Sequence, residues 1–178
     1  MASTLAQITL DTLLDNTPNT YEDIDRAAAI DDLLEDADLV PVPPSATARN
    51  IGKPETKTRD MNVSANGPYA LHLGFESNRL GIRLRNGNGD TVAQHLLSLT
   101  PFKQPLRTYY ELCQAYEQAA RKGPPDRIEI LDRARRHQHN ELAALARERL
   151  AGKLVMGHDT ARRLMTLVSR MFYGTDYI

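Results

Sequence analysis

Arg135, Arg136, His139, Asn140 and Glu141 form the densest group of chemically capable side chains in this 178-residue sequence. Arg135 and His139 stand four apart, as do Arg136 and Asn140, so in a helix each pair shares a face. Guanidinium forks suit carboxylate or phosphate, because their fixed N–H geometry matches two oxygens at once. Histidine is the side chain most easily used as acid or base near neutral pH. The group therefore has two readings. One is an anion-binding site, with His139 and Glu141 able to move protons. The other is a buried network in which Arg135 and His139 bond to carboxylates or backbone carbonyls and lock one helix to its neighbours.

The element carrying them is Asp126 to Leu150. It holds no Gly or Pro and is rich in Ala, Leu, Arg and Glu, which lose little entropy in a helix. At roughly 100° per residue, Ile128, Leu131, Leu142, Leu145 and Ala146 share a stripe with Arg135 and His139. Polar groups amid apolar neighbours must find partners or cost free energy. Thr100-Pro101 begins a preceding helix to about Arg121, with a stripe of Leu106, Tyr109, Tyr110, Cys113, Tyr116 and Ala120. Gly123-Pro124-Pro125 separates the two helices. After Gly152, Asp159 is expected to cap a last helix with a stripe of Ala161, Leu164, Met165, Leu167, Val168, Met171 and Phe172. Arg162 and Arg163 lie off that stripe and extend the candidate anion-binding group.

Upstream lies a β region. Tyr69, Leu71, Leu73 and Phe75 alternate with smaller or polar residues, as do Leu80, Ile82 and Leu84. Asn86-Gly87-Asn88-Gly89-Asp90 is a hairpin turn, and Thr91 to Leu99 supplies a third strand. Arg83 and Arg85 fall on the face opposite Ile82 and Leu84. Leu5 to Leu10 suits a short strand, and Asn16 to Asn19 a turn. From Thr20 as N-cap a helix runs to Ala37, with a buried face of Ile24, Ala27, Ala28, Leu34 and Ala37 and with Leu33 at its edge. Leu39 to Val42 reads as an edge strand because of Pro41. Ser45 to Gly67 has too little apolar surface to offset its ordering entropy and reads as a polar, disordered insertion in one 1–178 domain. The fold class is α+β: a small antiparallel meander packed against C-terminal helices, plus an N-terminal strand and helix.

Composition excludes several functions. No apolar run approaches the roughly 20 residues of a membrane span, and the N-terminus lacks the basic region of a secretory signal. One cysteine, Cys113, allows neither an internal disulfide nor a cysteine-based metal site. No cofactor or metal is expected: His137 and His139 diverge on a helix, and His72 and His95 lie on separate strands. P-loop, GxGxxG and GxSxG patterns are absent. The expected location is the cytoplasm. Residues 1–44 hold ten acids and one base, whereas residues 103–178 hold fourteen bases and nine acids. We read this as an acidic helix neutralising basic ones, which argues against a nucleic-acid partner. No catalytic constellation is legible. The leading reading is thus a non-enzymatic binding or regulatory protein acting through protein contacts, homodimers included. The alternative is a binder or enzyme for a phosphorylated or carboxylated small molecule using Arg135, Arg136 and His139. Nucleic-acid association is the third.

Two stretches carry a resemblance. R-R-x-x-H-N-E at Arg135 to Glu141 and D-T-A-R-R-L-x-T-L at Asp159 to Leu167 resemble an uncharacterised, placeholder-named family of small, largely alphaproteobacterial cytosolic proteins. The likeness covers Pro68 to Met171 and, more loosely, Asp23 to Pro43. It implies that Arg135, Arg136, His139, Asn140, Glu141, Asp159, Thr160, Arg162 and Arg163 are signature positions, and it implies no activity. The chain departs from the family pattern in its polar insertion and at His137-Gln138.

Overall fold

The structure, a computed structural model, describes residues 3–11, 21–42 and 67–174. The turn at Asn16 to Asn19, the Thr20 cap and the insertion from Ser45 to residue 66 lie outside the described residues. Four strands form one sheet in the order β1 (Leu5–Asp11), β3 (Tyr69–Glu76), β4 (Arg79–Arg85), β5 (Thr91–Ser98). β1 runs parallel to β3, and the other pairs are antiparallel. Between β1 and β3 come α1 (Tyr21–Asp36) and a two-residue strand β2 (Val40–Pro41). The chain then adds α2 (Lys103–Lys122), α3 (Pro125–Leu150), β6 (Leu154–Val155) and α4 (His158–Gly174). β6 pairs antiparallel with β2, so the edge strand expected around Pro41 exists as part of a separate two-stranded ribbon.

Alternation does what period two requires. Leu71, Leu73, Leu80, Ile82 and Leu84 are all buried and point to one side of the sheet. They share one continuous core with Leu106 of α2, Leu142 and Ala146 of α3, and the α4 stripe. Every apolar residue expected on α4 is buried, from Ala161 to Phe172. The fold class is therefore α+β, with the sheet's inner face closed by the C-terminal helices.

Three local expectations are corrected. Among the described side chains of α1 the buried ones are Ala29 and Leu33, continued by Ala37 just past its end, while Ile24 is 66% exposed and Ala27 and Ala28 are exposed. The helix is rotated from its expected face because the Ala29–Leu33–Ala37 line packs inward. Thr100 to Phe102 forms a 3-10 turn without a side-chain cap bond, and α2 starts at Lys103. The Thr100 hydroxyl accepts instead from the Asn78 side chain at 2.9 Å. Asp159 does not cap α4. Asp38, from the segment after α1, holds that helix start: both its carboxylate oxygens lie 2.8 Å from the Gly157 N–H. The Thr160 hydroxyl donates to Asp38 Oδ1 at 2.5 Å and accepts from the Asp38 N–H at 3.2 Å. A Cβ on Gly157 would collide with that carboxylate, so only glycine admits the approach.

Candidate functional site

The long helix α3 forms as expected, but its polar residues divide between two sides. His139 is buried at 8% exposure, and Arg135 is partly buried. Arg136 and Asn140 face solvent, as does Glu141 two residues beyond His139. Glu141 sits instead with Pro105, His137 and Glu148 in a shallow surface hollow. The proton-moving pair of His139 and Glu141 is therefore not assembled, because residues two apart on a helix diverge by about 200°. Arg136 pairs at 2.8 Å with Asp132, and Asn140 approaches His158 at 3.3 Å.

His139 instead ties α3 to α4. Its Nε2–H donates to the Arg162 carbonyl at 2.8 Å, with the Thr166 hydroxyl 3.1 Å from the same nitrogen. Its ring stacks on Tyr109 of α2, centroids 4.8 Å apart. Burial and the nearby Arg162, Arg135 and His158 outweigh the carbonyl's help and bring its pKa down to about 4. The side chain is thus a neutral imidazole at pH 7, fixed in the Nε2–H tautomer by the carbonyl it faces. Burial, with the adjacent Cys113 thiol, pushes Tyr109 up to about 12, so its hydroxyl stays protonated. Burial likewise raises the Cys113 thiol, as suits a small apolar residue of the helix stripe.

Around this tie the four helices leave a cleft of about 370 Å³. From α1 come Asp25, Asp32, Ala28 and Ala29, whose small side chains leave the space open. From α3 and α4 come His139, Arg135, Arg162, Arg163, Asp159 and Thr166. Three arginines and three aspartates therefore line it, and the expectation that α1 neutralises the basic helices is met by contacts. Arg170 reaches Asp25 at 2.5 Å, and Arg163 Nε lies 3.8 Å from Asp32.

The three cleft arginines are not equivalent. Arg135 donates to Asp132 at 2.7 Å and lies 5.0 Å over the Tyr116 ring. Bonds from Arg135 and Arg136 hold the Asp132 carboxyl below its ordinary range. Arg163 donates to the carbonyls of Asp32 and Asp36 at 3.3 and 3.1 Å, the second an orphan acceptor at the end of α1. Replacing Arg163 by Ala is expected to cost about 1 kcal/mol and loosen the end of α1. Urea unfolding checks this, and an unchanged midpoint would rule out the tether.

Arg162 differs. Its only ion-pair partner among the described residues is Asp159 at 3.8 Å, beyond hydrogen-bonding distance, and its Nε is buried without an acceptor. Its side chain is 35% exposed, and the main chain beneath it is held by His139. Arg135 Nε is likewise buried without an acceptor, but that guanidinium already donates to Asp132 through another nitrogen. Arg162 is thus the cleft arginine with no hydrogen-bonded acceptor on any donor among the described residues. The sequence placed Arg162 in the candidate group but gave no sign of this difference. Asp25 and Asp32 were missed as cleft residues, since contacts between separate helices have no local signature; Tyr109, expected in the buried stripe of α2, is buried and also borders the cleft. Among the described residues, no group of three or more His, Cys, Asp or Glu could hold a metal ion. No helix among them is long and apolar enough to cross a membrane.

A small α+β chain whose helices enclose a mixed-charge cleft is the class these features define. The chain belongs to UPF0262, an uncharacterised protein family whose pattern matches residues 2–173. A UPF0262 protein of Methylobacterium radiotolerans is 37% identical over 164 residues, covering 92% of this chain and 89% of the relative. One from Xanthobacter autotrophicus is 36% identical over 169 residues, covering 95% and 92%. A third, from Rhodopseudomonas palustris strain BisB18, is 48% identical over 103 residues, covering 58% and 63%. No solved structure matches the chain significantly.

Proposed function

We propose that this protein is a non-catalytic binder of a small oxyanion-bearing molecule, a phosphorylated or carboxylated one, taken up in the interhelical cleft. The observation that carries this reading is Arg162. None of its donors has an acceptor within bonding distance among the described residues, whereas Arg163 donates to two carbonyls of α1 and Arg135, whose Nε is also unpaired, donates to Asp132. A partly buried guanidinium without acceptors is costly, and an oxyanion would supply them at about 2.7–2.9 Å. His139 has a positioning role: it fixes the Arg162 main chain and stays uncharged, so it does not repel a second cation. Arg136, Asn140 and Glu141 lie outside the cleft and serve the helix surface. A thermal-shift screen with inorganic phosphate, succinate and citrate tests the proposal. Binding to the folded state alone raises Tm with ligand concentration. No shift with any anion would remove the reading.

Protein contact is the second reading, favoured by Ile24 and Ile130, exposed at 66% and 64%. It predicts a dimer, or a reproducible partner whose capture is lost in Ile130→Lys. Retention on nucleic acid that falls with salt would favour the third reading instead. A cytoplasmic location accords with all three.

A further inference from the structure

The sheet's outer face, away from the helices, carries a feature the cleft does not explain. Gly74 of β3 and Gly81 of β4 are cross-strand partners there. Gly74 is required by packing, because a Cβ would come within 2.9 Å of the Asp11 Cβ. Gly81 is not: a Cβ there would meet nothing closer than 3.4 Å. Glycine inside a strand weakens it and often marks a place where another group approaches the backbone. The two glycines floor a notch of about 130 Å³, and Glu76 shares its lining, its Oε1 3.9 Å from where a Gly81 Cβ would stand.

One row of side chains forms its wall. His72, Arg83 and Gln94 are successive cross-strand partners on β3, β4 and β5. Arg83 is half-buried, and no described residue accepts a hydrogen bond from it or pairs with its charge. His72 Nε2 lies 3.8 Å from Asp11 Oδ2 on the other wall. Beyond the row lies a larger hollow of about 600 Å³, which shares His72 and Arg83 and adds Arg85.

We infer that this notch is a second binding site, separate from the interhelical cleft, for the oxyanion group of a small carboxylate or phosphate ligand. Arg83 is its charge partner, and Gln94 and His72 supply further hydrogen-bond donors. The missing Cβ of Gly81 gives the ligand room against the backbone. Asp11 and Glu76 place two carboxylates around the glycine floor, so the oxyanion sits at the Arg83 end and the body of the ligand runs towards Arg85 and the larger hollow.

Backbone-amide NMR of the full chain tests this, with inorganic phosphate in one titration and succinate in another. Saturable shifts at Gly74, Gly81, Arg83 and Gln94 are expected with at least one anion, and which one responds tells carboxylate from phosphate. Arg83→Gln should weaken binding there by roughly tenfold or more. Gly81→Val should abolish it by filling the notch. Gly81→Ala, which fits an extended strand without strain, should weaken it while leaving the fold intact. Arg162→Gln should leave these shifts unchanged, which separates this site from the cleft. No saturable shift at these amides with either anion, or undiminished binding in Arg83→Gln, would overturn the inference.

Discussion

Acidification from pH 6.5 to about pH 4 is expected to cost the fold about 3 kcal/mol through His139 alone. Its pKa falls from the ordinary 6.5 to about 4 because burial, with the charges of Arg162, Arg135 and His158, disfavours the imidazolium. In the unfolded chain the ring takes up a proton below pH 6.5, whereas in the folded chain it does so only near pH 4. Protons therefore favour unfolding across that window. The stability is complete above it and is lost as pH falls, and the shift converts to about 3 kcal/mol. Carboxylates titrate in the lower half of the same window, so the comparison must be with a variant. In His139→Gln the amide can still donate to the Arg162 carbonyl, and it carries no charge. Urea unfolding of wild type and His139→Gln across the window should give a steeper loss for wild type. Parallel losses would mean that His139 is not a buried neutral tie between α3 and α4.

Asp38→Ala is expected to destabilise the protein by about 2 kcal/mol, although Asp38 is an exposed residue. The substitution strips the acceptor from the Gly157 N–H at the start of α4 and removes the carboxylate partner of the Thr160 hydroxyl. Thr160 is 2% exposed, so its hydroxyl has little access to water as a replacement. Asp38→Asn retains one acceptor and should recover about half the loss. Thermal unfolding of the two variants checks the order. A wild-type Tm in Asp38→Ala would show that α4 begins there without help from the segment after α1.

Sequence periodicity was informative wherever one physical constraint ruled an element. Strands β3 and β4 alternate because one face is buried, and the Asn86 to Asp90 turn joins β4 to β5. α4 shows a single unbroken apolar stripe, and all of it is buried. In α1 the run from Ala27 to Ile30 places apolar residues all round the helix, so two faces compete and only tertiary packing chooses between them. The Asp38 cap joins residues 119 apart in the chain, and a lone aspartate after a helix carries no trace of that. His139 was legible as a polar group that needed a partner; that its partner is a main-chain carbonyl of α4 was not. The candidate group on α3 split for a simple reason. Spacing fixes which residues share a face, but not which face looks into a cleft.

The interhelical cleft stands or falls with Arg162, and calorimetric titration of wild type and Arg162→Gln with inorganic phosphate and succinate examines it most directly. Saturable binding by wild type is predicted, weakened roughly tenfold or more in the variant at unchanged Tm. Equal affinity in the two proteins, or no heat of binding in wild type with either anion, would contradict the account.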